Sequence, residues 1–185
     1  MKTESTGLEG VILIKPTVHG DQRGFFLETW RADRYANLVG QGLTFVQDNH
    51  SRSRRGVLRG LHFQTRRPQG KLLRCVTGAI YDVAVDIRPD SPAFGQWIGV
   101  TLSGENQHQL YVPPGFAHGF QVVSDIADVE YKCTDYYDPG GEGGIRWDDP
   151  ALGIDWPIRP AVVSDKDQRL PGLDGLAAAR DAGTD

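Results

Sequence analysis

Apolar residues along this chain recur at every second position far more often than at helical spacing, and the apolar runs are short. Segments Val11–Ile14, Gly24–Trp30, Val57–His62, Lys71–Val76, Ala79–Ile87, Gln96–Leu102, Gln109–Val112, Gly119–Val123 and Asp128–Cys133 are rich in β-branched or aromatic residues. Each is bounded by Gly, Pro, Asp or Ser, the signature of strands. The pattern predicts an all-β sandwich or barrel. Thr77-Gly78 and Ser103-Gly104 read as turns, and Arg88-Pro89-Asp90-Ser91-Pro92 as a longer connection. One short helix is expected over Arg31–Leu38, where Tyr35 and Leu38 stand at helical spacing. The Ala-rich end, 176–185, is expected to form a fraying turn and a mobile tail.

A length of 185 residues suits a single domain over residues 1–175. The net charge of −4 disfavours a nucleic-acid binder, which needs a basic field to displace counterions from phosphates. No cationic leader precedes an apolar run, and no run approaches the roughly 20 apolar residues of a membrane helix. The expectation is a cytoplasmic protein with no membrane partner. Cys75 and Cys133 form no C-x-x-C pair and read as buried thiols; a disulfide is possible but not deducible.

The candidate chemistry centres on Arg59-Gly60-Leu61-His62-Phe63-Gln64 and on Lys71, which opens the next apolar run. A base beside a cation suggests carbanion chemistry. By itself a histidine near an apolar run is more often a satisfied core residue; its company shifts that balance. Arg59 and His62 would face opposite sides of a regular strand unless Gly60 permits a bulge. Pro113-Pro114-Gly115-Phe116-Ala117-His118-Gly119-Phe120 reads as a tight turn delivering a second histidine to a strand start. Asp165 and Asp167, in Val162-Val163-Ser164-Asp165-Lys166-Asp167, each offer a carboxylate to orient the imidazole; equally, the cluster caps a final turn. Tyr131 and the pair Tyr136-Tyr137 are packing aromatics or proton donors. Arg52, Arg54, Arg55, Arg66 and Arg67 read as solvated loop clusters.

Seven blocks occur in the order found in the dTDP-4-dehydrorhamnose 3,5-epimerase family. They are Asp21–Phe26, Gly56–Gln64, Gly70–Cys75, Tyr81–Arg88, Ser91–Trp97, Gly115–Phe120 and Gly153–Pro157, and the likeness spans Leu8 to Pro171. The resemblance implies a cupin-type β jelly roll with one or more short helices, a homodimer, and a dTDP-4-keto-6-deoxyhexose substrate epimerised at C3 and C5 with no cofactor. It implies His62 as base, Asp167 as its partner, and Lys71 on the oxyanion. It implies Tyr131, and also Tyr137, as proton donors on the opposite face. Arg23 and Arg59 match diphosphate-holding positions; Phe26, Glu28, Gln47 and Asn49 match contacts to thymine and deoxyribose, against a plainer reading as strand surface. Lys166 is a further phosphate candidate, and His118 lines or supports the site. The Arg-rich loop Thr65–Gly70 departs from the pattern and is expected to alter the entrance.

Relatives that epimerise one carbon alone keep the same base, dyad and lysine, so a C3-only or C5-only epimerase is the alternative. Pro113-x-Gly115-x-x-His118 resembles the second cupin motif, which raises a metal-dependent cupin such as an oxygenase. The first motif's His-x-His pair is missing at Leu61-His62-Phe63-Gln64, so no metal is expected. A non-catalytic sugar-nucleotide binder is the remaining rival. Neither the rhamnose pathway nor an antibiotic deoxysugar pathway is favoured.

Overall fold

The computed structural model describes residues 1–40, 42–159 and 161–176; the expected tail turn beyond 176 lies outside them. The strands in chain order are β1 (Lys2–Ser5), β2 (Ile12–Lys15), β3 (Val18–Asp21), β4 (Gly24–Leu27), β5 (Gln47–Arg54), β6 (Val57–Gln64) and β7 (Lys71–Thr77). They continue as β8 (Ala79–Asp86), β9 (Trp97–Ser103), β10 (Gln109–Val112), β11 (Phe116–Val122), β12 (Ile126–Cys133), β13 (Glu142–Gly144) and β14 (Val162–Val163). Helix α1 (Ala32–Val39) precedes β5, and α2 (Asp165–Gln168) follows β14.

Two sheets face each other. The first runs β1-β2-β10-β7-β12-β5, and the second runs β13-β6-β11-β8-β9 with β14 parallel on β6. Their strands alternate between an inner and an outer apolar face because side chains on successive residues point oppositely. Inward, Leu73, Cys75, Leu110 and Val129 of the first sheet meet Ile80, Ala84, Phe120 and Val122 of the second. Outward, the first sheet carries Ile14, Leu72 and Tyr111 under α1, whose Tyr35 and Val39 stand one turn apart and are buried there. The outer face of the second sheet carries Leu61, Val83 and Val85 under Ile145, Ile154 and Trp156. Strands such as β8 and β11 are therefore covered on both faces, which is why their sequences are near-continuous apolar runs.

The period-two reading places nine strands close to where they lie. The segment from Gly24 stops as a strand at Leu27; Trp30 instead packs its ring 4.8 Å from Tyr35 and 4.7 Å from Phe45. The helix ends at Gly40, whose φ of 114° is open to glycine and strained for other residues. Arg52 and Arg54 are not in a loop: they occupy the outward face of β5, and Arg52 pairs with Asp128 at 2.9 Å. Cys75 and Cys133 are buried free thiols. Apart from the two main sheets, β3 and β4 form a separate hairpin on which Phe25 and Phe26 are 60% and 72% exposed.

Candidate active site

The space between the sheets changes from apolar to polar toward one end, and a cavity opens there. One lobe, about 550 Å³, is lined by Ser51, Arg59, His118, Phe120, Lys166 and Asp167 among others. A second, about 240 Å³, is lined by Gln47, Asn49, Gln69, Cys133, Tyr137 and Glu142 among others. His62, Lys71 and Tyr131 line both. The base comes from the second sheet, the cation and the phenol from the first, so closing the sandwich is what brings them together.

His62 is held by geometry set far away in sequence. Its Nε2 lies 2.7 Å from Asp167 Oδ1, leaving Nδ1 without a hydrogen-bond partner among the described residues. Asp167 accepts the Gly60 N–H on its other oxygen at 3.2 Å. Burial works to raise this carboxyl, but the His62 hydrogen bond and charge, the Gly60 N–H and Lys166 outweigh it and hold the group below the usual range. An ionised Asp167 fixes the orientation of the His62 ring. The two sequence readings of this segment are both realised: Ser164 caps α2 by accepting the Asp167 N–H at 3.1 Å, and that cap aims the carboxylate.

Gly60 does what its position suggested. Opposite β11, His62 pairs with His118 and Arg59 with Phe120, so β6 carries one extra residue there. This bulge turns Arg59 and His62 into the same lobe. A Cβ on Gly60 would meet Gly119 Cα at 2.5 Å and the His118 carbonyl oxygen at 2.8 Å, so glycine is required for the strands to approach.

Lys71 has no ion pair or hydrogen bond among the described residues. Burial lowers its pKa from the ordinary value, with Cys133, Asp82 and Glu142 acting in the other direction. An ammonium so placed gains most from a negative charge that arrives with ligand. Burial raises the Tyr131 hydroxyl pKa, Cys133 adds to this and Arg59 opposes it; the phenol stays protonated and able to donate. Tyr137 is half exposed at the mouth, its hydroxyl donating to Glu142 at 3.0 Å and its N–H to Gln47 at 3.0 Å. Lys166 closes the same cluster by pairing with Glu142.

His118 both lines the lobe and is pinned inside it, with Nε2 2.9 and 3.1 Å from the two oxygens of Asp82. Arg59 Nε donates to Ser53 at 3.0 Å. Three expected site residues stand apart from the cavity. Arg23 is 85% exposed on the β3–β4 hairpin, paired with Asp21 at 2.6 Å. Phe26 is open to solvent, and Glu28 pairs with Arg34 at 3.0 Å. Of the Arg-rich loop, Arg67 pairs with Asp135 and lies over the Tyr136 ring, at 3.2 and 5.9 Å. Sequence reasoning missed Glu142 and Asp82 as site residues. The signals present were a lone carboxylate among Gly140, Gly141, Gly143 and Gly144, and a charge inside the apolar run of β8.

A cupin-type jelly roll whose interior opposes an oriented imidazole and an unpartnered ammonium defines a protein built for proton transfer at carbon. The chain belongs to the dTDP-4-dehydrorhamnose 3,5-epimerase family, whose sequence profile matches residues 5–175. It is 52% identical over 171 residues to the dTDP-4-dehydrorhamnose 3,5-epimerase of Salmonella typhimurium, covering 91% of this chain and 93% of that one. A Legionella pneumophila dTDP-6-deoxy-D-glucose-3,5-epimerase, solved in complex with dTDP-4-keto-L-rhamnose, superposes with a TM-score of 0.91 at 52% identity. That match covers 94% of this chain and 93% of that chain. The dTDP-4-dehydrorhamnose 3-epimerase of Streptomyces niveus is 42% identical over 184 residues, covering 99% of this chain and 87% of its own. No helix among the described residues is long and apolar enough to cross a membrane.

Proposed function

We propose that this protein epimerises dTDP-4-keto-6-deoxy-D-glucose at C3 and C5, giving dTDP-4-keto-L-rhamnose, with no cofactor. The observation that carries the reading is the cavity in which His62, oriented by Asp167, and Lys71 enter from opposite sheets. Both carbons flank the C4 ketone. His62 Nδ1 takes a proton from one of them; the C–H pair becomes the enolate double bond, and the former carbonyl pair moves to O4, which Lys71 stabilises. Tyr131, or Tyr137 at the mouth, returns a proton to the opposite face of the same carbon, so the centre inverts. The imidazolium then loses its proton to solvent and the phenolate regains one, which leaves the enzyme unchanged and the reaction redox-neutral. Arg59 and Lys166 supply cations for the diphosphate. The greater identity to 3,5-epimerases than to the 3-epimerase favours reaction at both carbons.

The active assembly is a homodimer in which the β3–β4 hairpin, carrying Arg23 and Phe26, completes the partner's nucleotide site. Its aromatic side chains are exposed within one chain, and an apolar tip of this kind fits a covered interface.

The test is turnover of the substrate in D2O, followed by NMR. Label at C3 and C5 is expected; label at one carbon makes the protein a single-site epimerase, and none makes it a binder. His62→Ala is expected to abolish exchange while retaining dTDP binding. A variant exchanging near the wild-type rate would remove His62 as the base.

A further inference from the structure

After β12 the chain runs through 134–138 without strand or helix and carries Tyr137 to the cavity mouth. Its backbone groups have no ladder to satisfy them, so side chains from elsewhere meet several of them. Thr134 is tied to Gly70 twice, its hydroxyl accepting the Gly70 N–H at 2.7 Å and its own N–H donating to the Gly70 carbonyl at 2.9 Å. Three glutamines then take one group each. Gln69 Nε2 donates to the Asp135 carbonyl at 2.7 Å, Gln47 Oε1 accepts the Tyr137 N–H at 3.0 Å, and Gln64 Oε1 accepts the Asp138 N–H at 3.3 Å.

Gln64 differs from the other two. It is only 9% exposed, and it stands two residues beyond His62 on β6, lining the same cavity as the base. Across the β6–β13 pair it lies opposite Glu142, the acceptor of the Tyr137 hydroxyl. Tyr137 is thus held from both sides of one cross-strand pair: its hydroxyl by Glu142, and the N–H that follows it by Gln64. We propose that Gln64 is a positioning residue that holds the Tyr137 segment across the cavity mouth before substrate arrives. The proposal rests on the function argued above. A buried amide oxygen can serve simply to satisfy an N–H. Here more depends on it, because the Tyr137 ring is 49% exposed and packing alone does not fix it. Without the Gln64 acceptor the segment samples other positions, and only the fraction of molecules with Tyr137 in place binds substrate well. The loss therefore falls on KM, while kcat, which reports the bound complex, is spared.

Gln64→Met keeps the length and volume of the side chain but offers no strong acceptor. It is expected to raise KM roughly fivefold, with kcat within about twofold of the wild type. Gln64→Asn, one methylene too short to reach Asp138, is expected to show the same rise and serves in its place should Gln64→Met not fold. The effect passes through Tyr137, so in a Tyr137→Ala background either substitution is expected to leave KM where Tyr137→Ala alone puts it. Steady-state kinetics with dTDP-4-keto-6-deoxy-D-glucose, alongside melting temperatures, read all of this. A lower melting temperature with unchanged KM, a fall in kcat at unchanged KM, or an equal rise in KM with and without the Tyr137 ring overturns the assignment. Absence of turnover in the wild-type protein would instead overturn the functional reading beneath it.

Discussion

The cavity and the β3–β4 hairpin both carry residues matched to ligand contacts, yet they hold them in opposite ways. In the cavity His62 is oriented by Asp167 from 105 residues away, Asp167 by the distant Gly60 N–H and by its own helix cap Ser164, and Arg59 by Ser53 on the preceding strand. On the hairpin, Arg23 is paired two residues away with Asp21 in open solvent, and Phe26 has little cover. His62, Lys71 and Tyr131 therefore meet in one cavity within one chain. Arg23 and Phe26 on the hairpin acquire a fixed position only when something packs against them. A residue inside a sandwich is preorganised by folding, and a residue on a two-stranded ribbon by association.

The largest effect expected on this contrast is inside the cavity. Lys71→Ala should lower kcat by roughly 10²–10³, the usual consequence of removing one oxyanion partner, with dTDP affinity little changed. The ammonium is the working form, so activity persists below its pKa and falls as pH rises through it. Because burial lowers that pKa, the alkaline fall should begin below the ordinary lysine value of 10.5. In Lys71→Arg the cation survives to much higher pH, and the alkaline limb of kcat should move up. A limb at the same pH in both proteins would assign it to another group.

What the sequence revealed follows the same division between apolar and polar faces. Residues Gln109–Val112 were read as a strand with the bounds they have, because an interior strand must be apolar. Strand β5 escaped: its inward row is polar because it faces the cavity, so no apolar alternation marks it. The feature that hid it as a strand is what makes it part of the site. The sequences Lys2–Ser5, Val18–Asp21 and Glu142–Gly144 were missed because backbone pairing at exposed edges needs no apolar face. His62 and Lys71 stood out locally. The choice of Asp167 over Asp165 rested on resemblance, since a partner 105 residues away leaves no local spacing to read. That Arg23, Phe26 and Glu28 lie off the cavity was illegible, because residues matched one at a time carry no statement of where the fold places them.

A mixed dimer tests the hairpin half of the comparison with a fourfold effect. His62→Ala and Arg23→Ala chains are co-expressed with different tags; alone, the first should be inactive and the second weakly active at low substrate concentration. In a mixed dimer one site combines an intact His62 with the other chain's intact hairpin, while its twin lacks both. Random pairing makes half the dimers mixed, so roughly a quarter of wild-type activity should return. Absence of recovery would return the hairpin to its own chain's site or to no site.

The smallest expected effect concerns the Asp21–Arg23 pair. The Arg23 hydrogen bonds hold the Asp21 carboxyl below its usual range, yet both side chains are largely in water, where such pairs add little to stability. Asp21→Asn should therefore leave the melting temperature unchanged. It removes a negative charge that competes with phosphate for the guanidinium, so KM should fall about twofold at low ionic strength and return to the wild-type value in high salt, as expected of screened surface charges. The same carboxylate-to-amide change at Asp167 would replace the imidazole's anionic partner with a neutral one and cost turnover rather than KM. A salt-independent loss of kcat in Asp21→Asn would mean that the hairpin shares the preorganisation of the cavity, and the distinction between the two regions would fail.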